Sequence, residues 1–165
     1  MKYSPPEHLQ LTHCTQDFDC GVETLNCWLK DRAIKNEETG GSRTYVVCYE
    51  KRVVGYYCLA SGCVVNSEAP GKFRRNMPNQ VPVMILGRLA VDRNHQKKGI
   101  GTGLIKDAIM RTYQASEIVG VRGILIHALN EEMKERYVNK YGFTASTVHP
   151  LTVMATLADL KTLLE

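Results

Sequence analysis

Apolar residues recur along this chain with two periods, and the changes between them lay out its elements. Residues 22–35 (VETLNCWLKDRAIK) put Leu25, Trp28, Leu29 and the Arg32–Ala33 pair on one face. That predicts an amphipathic helix ended by the turn-rich stretch Asn36–Gly41. Arg43–Glu50 and Val53–Ala60 are β-branched and aromatic runs separated by Lys51–Arg52, the pattern of an antiparallel hairpin. Residues 66–80 hold Pro70, Gly71, Asn76, Pro78 and Asn79 and read as loop with room for a short helix. Val81–Asp92 reads as a long strand, with Pro82 near its start, where a missing N–H is tolerated. Gly101–Ala115 repeats apolar residues at Leu104, Ile105, Ala108 and Ile109 and predicts a helix. Arg122–Leu129 reads as a strand, and Glu131–Lys140 as a short helix with two acids in its first turn and Gly142 at its end. Phe143–His149 and Leu151–Ala155 read as strands, and Thr156-Leu-Ala-Asp159 as the capping box of a terminal helix. Helix, hairpin, strand, helix, strand, helix, strand is the order of a mixed α/β domain, expected as one unit over residues 1–165.

Composition narrows the class without naming a chemistry. With 165 residues, 44% apolar and 23% charged, the chain has the make-up of a globular protein with a buried core. The uncharged stretch Val53–Asn66 is broken by glycine and serine and falls short of the roughly 20 apolar residues of a spanning helix. Met1–Gln10 lacks the apolar stretch of a secretory signal, so a cytoplasmic protein is expected. In that setting the six cysteines are expected as reduced, mostly buried thiols. None forms C-x-x-C, and His13–Cys14 has no second ligand pair at zinc spacing, so no metal is expected. The net charge of +4 is unevenly placed. Lys72, Arg74, Arg75, Arg88, Arg93, Lys97 and Lys98 face only Asp92 in their segment, giving it +6 against −2 for the rest. Such a cluster suits a polyanion or is a solvated basic face.

The most informative stretch is Val91-Asp-Arg-Asn-His-Gln-Lys-Lys-Gly-Ile-Gly-Thr-Gly-Leu104. A strand runs into a turn containing Gln96, Gly99, Gly101 and Gly103, and an apolar-periodic helix follows. Glycines let backbone approach a ligand closely, and a helix N-terminus favours phosphate. Lys97 and Lys98 add full charges, so the turn reads as a pyrophosphate cradle. It is not a P-loop, because no G-x-x-x-x-G-K-[ST] is present, and the glycine spacing is not G-x-G-x-x-G.

The Q-x-x-G-x-G from Gln96 to Gly101 resembles the acetyl-CoA loop of the GNAT acyltransferases. Asn130 through Tyr137 to Tyr141-Gly142-Phe143 resembles that family's later strand, helix and G-F segment, which places Asn130 at the strand end and Tyr137 on the helix, with Met133 replacing the usual small residue and Arg136 the usual aromatic. Three further stretches, Asp19-Cys-Gly-Val-Glu-Thr-Leu-Asn-Cys-Trp-Leu29, Gly41-Ser-Arg-Thr-Tyr-Val-Val-Cys48 with Gly55-Tyr-Tyr57, and Arg74-Arg-Asn-Met-Pro78 with Leu86-Gly-Arg-Leu-Ala-Val-Asp92, are similar to the TacT-like acetyltransferase toxins of bacterial type II toxin–antitoxin modules. The resemblance covers about residues 17–160.

The resemblance implies a GNAT fold, with a mixed, mostly antiparallel sheet flanked by helices. It implies acetyl-CoA as donor, held by Leu89, Ala90, Val91, Gln96, Lys97, Lys98, Gly99, Ile100, Gly101, Thr102, Gly103 and Asn130, with Tyr137 as general acid. It implies the α-amine of aminoacyl-tRNA as acceptor and arrest of translation. It also implies a homodimer, and a ribbon-helix-helix antitoxin through whose complex operator DNA is bound. With tRNA implied by the resemblance, the basic segment is where it is expected to sit, on Lys72, Arg74, Arg75 and Arg88, with Arg93 beside them. The strand Met84–Val91 carries no Glu to act as base. An α-amine titrates near roughly 7.7–8.0 and needs a base less than a lysine near about 10.4. Two other readings stay open: an acetyltransferase for a protein N-terminus or small amine, and a catalytically silent corepressor. An acyl-enzyme route through Cys58 or Cys63 with His127 is the less favoured alternative to core packing.

Overall fold

A computed structural model describes residues 2–165. Seven strands form a mixed sheet: β1 (Glu7–His8), β2 (Arg43–Tyr49), β3 (Arg52–Val65), β4 (Gln80–Val91), β5 (Gly123–His127), β6 (Thr144–Ala145) and β7 (Thr152–Thr156), in the order β1-β2-β3-β4-β5-β7-β6. Six α-helices accompany them: α1 (Glu23–Asp31), α2 (Ala33–Thr39), α3 (Gly71–Arg74), α4 (Ile100–Ser116), α5 (Glu131–Tyr141) and α6 (Leu157–Leu160). The chain packs as two compact units. The first takes residues up to Ala60 with Gly87–Ala108, the second Ser61–Leu86 with Ile109–Glu165.

In the first unit, β2 and β3 pair antiparallel from Arg43↔Leu59 to Tyr49↔Arg52, with a register shift between Val47 and Cys48. Glu50 and Lys51 close the hairpin in left-handed conformations, at φ 51° and 66°. These are the primed-turn dihedrals that match strand twist. Phe18, Trp28, Leu29, Ala33, Val46, Val53, Tyr56 and Ala90 are buried together. Trp28 stacks parallel on Tyr56 at 5.9 Å, and Phe18 meets the same ring edge-on at 5.5 Å.

The first helix departs from the sequence expectation. It breaks at Arg32 (φ −119°) and continues as α2 to Thr39, three residues past Asn36. The stop belongs to Gly40, left-handed at φ 82°. The Asn36 carbonyl accepts the N–H groups of both Gly40 and Gly41, so Asn36 serves the last turn rather than ending the helix. Strand β1, pairing Glu7 with Val46, also carried no sequence signal, being two residues long.

In the second unit, Met84–Leu86 of β4 run parallel to Ile124–Ile126, and β5 pairs antiparallel with β7 from Gly123↔Thr156 to His127↔Thr152. A Cβ on Gly123 would lie 2.0 Å from the Ala155 carbonyl oxygen, so only glycine allows this approach. Val64, Ala69, Phe73, Val81, Val83, Leu125 and Met154 form its core.

Three expectations are corrected here. The strand expected over Phe143–His149 is only Thr144–Ala145, because the Ser146 hydroxyl accepts the N–H groups of Val148 and His149 and turns the chain away. The strand expected over Arg122–Leu129 is Gly123–His127. Asn130 is the N-cap of α5, its side-chain oxygen accepting the Met133 N–H at 2.9 Å, rather than a strand end. The expected caps hold elsewhere: Gly142 ends α5 at φ 76°, and Thr156 accepts the Asp159 N–H to open α6.

Candidate functional site

The donor turn lies wholly in the first unit. Leu89, Ala90 and Val91 end β4, with Ala90 buried. Asp92 then caps a 3₁₀ turn over Arg93–His95 by accepting the Asn94 N–H at 2.9 Å, and it also accepts the Asp19 N–H at 3.0 Å. The Gln96 amide donates to the Val91 carbonyl at 3.0 Å, closing the turn on itself. Gln96, Lys97, Lys98 and Gly99 are exposed, and Ile100, Gly101, Thr102 and Gly103 make the first turn of α4. Lys97 and Gly99 are left-handed, at φ 61° and 85°. A Cβ on Gly99 or Gly103 would meet nothing within 4 Å, so the turn presents open backbone. The first N–H groups of a helix have no intrahelical partner and carry partial positive charge. The exposed lysines complete a fit to a pyrophosphate.

Helix α4 is seated on β3. A Cβ on Gly55 would come 2.9 Å from Ile100 Cγ2 and 3.3 Å from Leu104 Cδ1, so glycine admits the helix's first turn. Further along, the Tyr57 hydroxyl donates to Asp107 at 2.5 Å, a buried bond that fixes the rotation of α4. On its other side the turn meets the N-terminal segment, where the Tyr3 hydroxyl and His95 Nδ1 are 2.8 Å apart.

Tyr137 lies on α5 in the second unit, buried beside Tyr141 and Phe143 at centroid distances of 6.3 and 6.0 Å. Burial, with Tyr141 adding to it, pushes its hydroxyl up to about 12. The phenol therefore stays protonated at any physiological pH.

The five cations expected to hold nucleic acid have unequal surroundings. Arg88 lies over the Trp28 ring, 4.6 Å from its centre. Arg93 pairs with Asp19 at 2.9 Å, and Asp19 is held low first by the Gly21 N–H, then by Asn26 and Arg93. Lys72 pairs with Asp159 at 2.5 Å. Arg74 and Arg75 are exposed and, among the described residues, no acid is paired with them. The sequence did not mark Trp28, Asp19 or Asp159 as partners of these cations, because nothing local ties an aromatic or acid to a distant cation.

The thiols are less buried than expected: Cys14, Cys27 and Cys63 are exposed, Cys20 half-buried, and only Cys48 and Cys58 buried. Cys27 lies on α1, Cys63 on β3 and Cys14 outside the named strands, and composition alone does not show which face a thiol takes. Burial pushes the Cys58 thiol up, with Arg88 opposing, which leaves it a poor nucleophile. His127 Nδ1 bonds to the Thr152 hydroxyl at 2.9 Å. One group, Glu7, His13 and Cys48, has metal-ligand composition, with ligand atoms within 4.8 Å of one another. Its wiring is unsuited to a cation. The Gln10 N–H donates to His13 Nδ1, so Nε2 carries the proton and donates to Glu7 at 2.9 Å. No imidazole lone pair is left for a metal. Among the described residues no helix is long and apolar enough to cross a membrane.

A long strand leading into an open glycine turn at a helix start, beside paired lysines, defines a binder of the diphosphate in an acyl-CoA. The chain belongs to the GNAT family: the family's acetyltransferase (GNAT) domain matches residues 40–145. It is 44% identical over 162 residues to a tRNA-acetylating toxin of Mycobacterium tuberculosis, covering 98% of this chain and 97% of that protein. It superposes on AtaT complexed with acetyl-methionyl-tRNAfMet with a TM-score of 0.90 at 28% identity, over 99% of this chain and 100% of that one. A tyrosine-to-phenylalanine mutant of AtaT, bound to the C-terminus of the antitoxin AtaR and acetyl-CoA, matches with a TM-score of 0.81 at 29% identity, over 98% and 97% of the two chains.

Proposed function

We propose that this protein is a toxin that transfers the acetyl group of acetyl-CoA to the α-amine of aminoacyl-tRNA and so arrests translation. The observation that carries the acceptor is the near full-length similarity to a tRNA-acetylating toxin. The exposed Arg74–Arg75 pair supports it from the chain's own chemistry, since phosphate contacts by arginine dominate affinity for nucleic acid. The open turn from Gln96 to Gly103, with Leu89–Val91 before it, receives the donor, and Asn130 contributes from the start of α5.

The donor supplies a thioester, which the neutral amine attacks directly. An N–H of the Leu89–Val91 strand end donates to the carbonyl oxygen as negative charge grows there. The Asp92 N–H is not that donor, because it is already given to the Val54 carbonyl at 2.8 Å. Tyr137 protonates the departing sulfur as general acid. Its hydroxyl, at about 12, is a far weaker acid than a thiol near about 8.5. The tyrosine's proton is therefore replaced in the same event by the ammonium that the attacking amine becomes. A dedicated base is unnecessary for an acceptor of which a useful fraction is already neutral at pH 7.

The protein acts in the bacterial cytoplasm as a homodimer. A ribbon-helix-helix antitoxin neutralises it, and the pair binds operator DNA through the antitoxin. The relative bound to an antitoxin C-terminus supports this mode of neutralisation. The test is acetyl transfer from labelled acetyl-CoA to a pool of charged tRNA, with uncharged tRNA and Tyr137→Phe as controls. Label on charged tRNA alone, lost in the variant, is expected. Label on uncharged tRNA, or undiminished transfer by the variant, overturns the reading.

A further inference from the structure

The segment that carries Arg74 and Arg75 is loop with a short helix, as its composition suggests, and it is firmly fastened. Phe73 anchors it in the core of the second unit, 2% exposed. Helix α3 has only four residues, so the carbonyls of its last turn have no helical partners. A single side chain takes up two of them. Arg122 Nε donates to the Phe73 carbonyl at 2.8 Å, and its terminal nitrogen donates to the Lys72 carbonyl at 2.9 Å. Arg122 is itself held at the edge of β5. Its N–H donates to the Pro82 carbonyl, its carbonyl accepts the Leu157 N–H, and the next residue is Gly123 with its close approach to Ala155.

Asn66 stitches the far side of the same segment. Its amide nitrogen lies 3.2, 3.1 and 3.2 Å from the carbonyls of Arg74, Met77 and Pro78. Between the two, Asn76 reverses the chain at φ 60°. The backbone from Lys72 to Pro78 is thus fastened from both ends, while the Arg74 and Arg75 side chains point into solvent. A fixed backbone halves the problem of presenting two long cations, since only their own rotamers remain to be ordered.

We propose that Arg122 is a positioning residue for tRNA: by clamping the Lys72 and Phe73 carbonyls it sets the direction in which Arg74 and Arg75 meet the phosphate backbone. The inference deepens the function proposed above and rests on it. A guanidinium is needed because its planar fork reaches two carbonyls at once; a lysine ammonium keeps the charge and loses the clamp.

The experiment measures acetylation of charged tRNA by Arg122→Lys and Arg122→Gln, alone and combined with Arg74→Gln/Arg75→Gln. Asn66→Ala is a second, independent way to loosen the segment. Both Arg122 variants are expected to raise KM for charged tRNA roughly tenfold, with the KM for acetyl-CoA unmoved and the loss falling on KM rather than kcat. In the Arg74→Gln/Arg75→Gln background, Arg122→Lys should cost nothing further. Asn66→Ala should reproduce the KM effect at unchanged acetyl-CoA affinity. A normal KM for Arg122→Lys overturns the proposal, as does a penalty that persists in full without Arg74 and Arg75. Wild-type protein inactive on charged tRNA would instead overturn the function itself, so the two failures are separable.

Discussion

The Arg88 guanidinium lies 4.6 Å from the centre of the Trp28 ring, in a column continued by Tyr56 parallel to that ring at 5.9 Å. Among the described residues no acid is paired with Arg88, so the aromatic face orients the cation without neutralising its charge. Arg88→Ala is expected to lower stability by about 1–2 kcal/mol, the range for a partly desolvated cation–π contact. Arg88→Lys should recover only part, because an ammonium stacks less well. Denaturant titration checks both, and most of the Arg88→Ala effect should vanish in a Trp28→Leu background.

The acid role proposed for Tyr137 fixes the pH profile to expect. Its hydroxyl is pushed up to about 12, so the acid form persists throughout the accessible range. The value of kcat/KM should rise with pH as the acceptor amine deprotonates, near about 7.7–8.0 for an ordinary α-amine, and then stay level. A falling limb below about pH 10 would exclude Tyr137 as the proton donor. Tyr137→Phe should lower kcat by roughly 10²–10⁴-fold, with acetyl-CoA binding intact by calorimetry.

Lys72 and Asp159 offer a test of sign. Burial pushes the Asp159 carboxyl up, but hydrogen bonds from Lys72 and Thr156 outweigh it and leave the group below the ordinary carboxylate range. A lowered carboxylate contributes stability that is complete above the unfolded value near about 3.9 and is lost as pH falls through the lower folded value. Both partners are partly exposed, at 69% and 32%, so the contribution is about 0.2–1 kcal/mol. Asp159→Asn should narrow the stability difference between pH 7 and pH 3 by that amount in thermal unfolding. It also frees Lys72 for phosphate, so KM for charged tRNA should fall at low salt and converge with wild type at high salt.

Gly55 ties the donor turn to the sheet. The first turn of α4 rests where a Cβ would be 2.9 Å from Ile100 Cγ2, a branch methyl close to the helix backbone. Gly55→Ala should cost about 1–3 kcal/mol as an overpacked contact. By shifting Ile100–Gly103 it should also raise KM for acetyl-CoA while leaving affinity for tRNA unchanged in a filter-binding assay.

The strand, glycine turn and helix start were readable because their signal is local: strand, glycines, lysines and helix are consecutive. The caps at Gly142 and Thr156 are local for the same reason, whereas the capping role of Asn130 was not read. The break at Arg32 was not readable, since no proline or glycine marks it and tertiary packing imposes it. The end of β6 escaped because a serine hydroxyl that captures two N–H groups leaves no trace in hydrophobic periodicity. For the cations, sequence supplied the charges and structure the partners. Trp28 under Arg88, Asp19 beside Arg93 and Asp159 beside Lys72 are all distant in the chain. Arg122 escaped because it lies outside the basic cluster and works through main-chain carbonyls.

The hairpin tip has a practical bearing on all of these tests. Glu50 and Lys51 both hold left-handed dihedrals without being glycine or asparagine, and neither belongs to the donor turn or the basic segment. An Asn-Gly pair suits that geometry far better. The tip is therefore a natural place for a global suppressor: a background with Asn-Gly there would tolerate damaging substitutions elsewhere and keep them folded. A toxin's inactive variants are the ones most readily selected during expression, and in such a background a silent mutant could be told apart from an unfolded one.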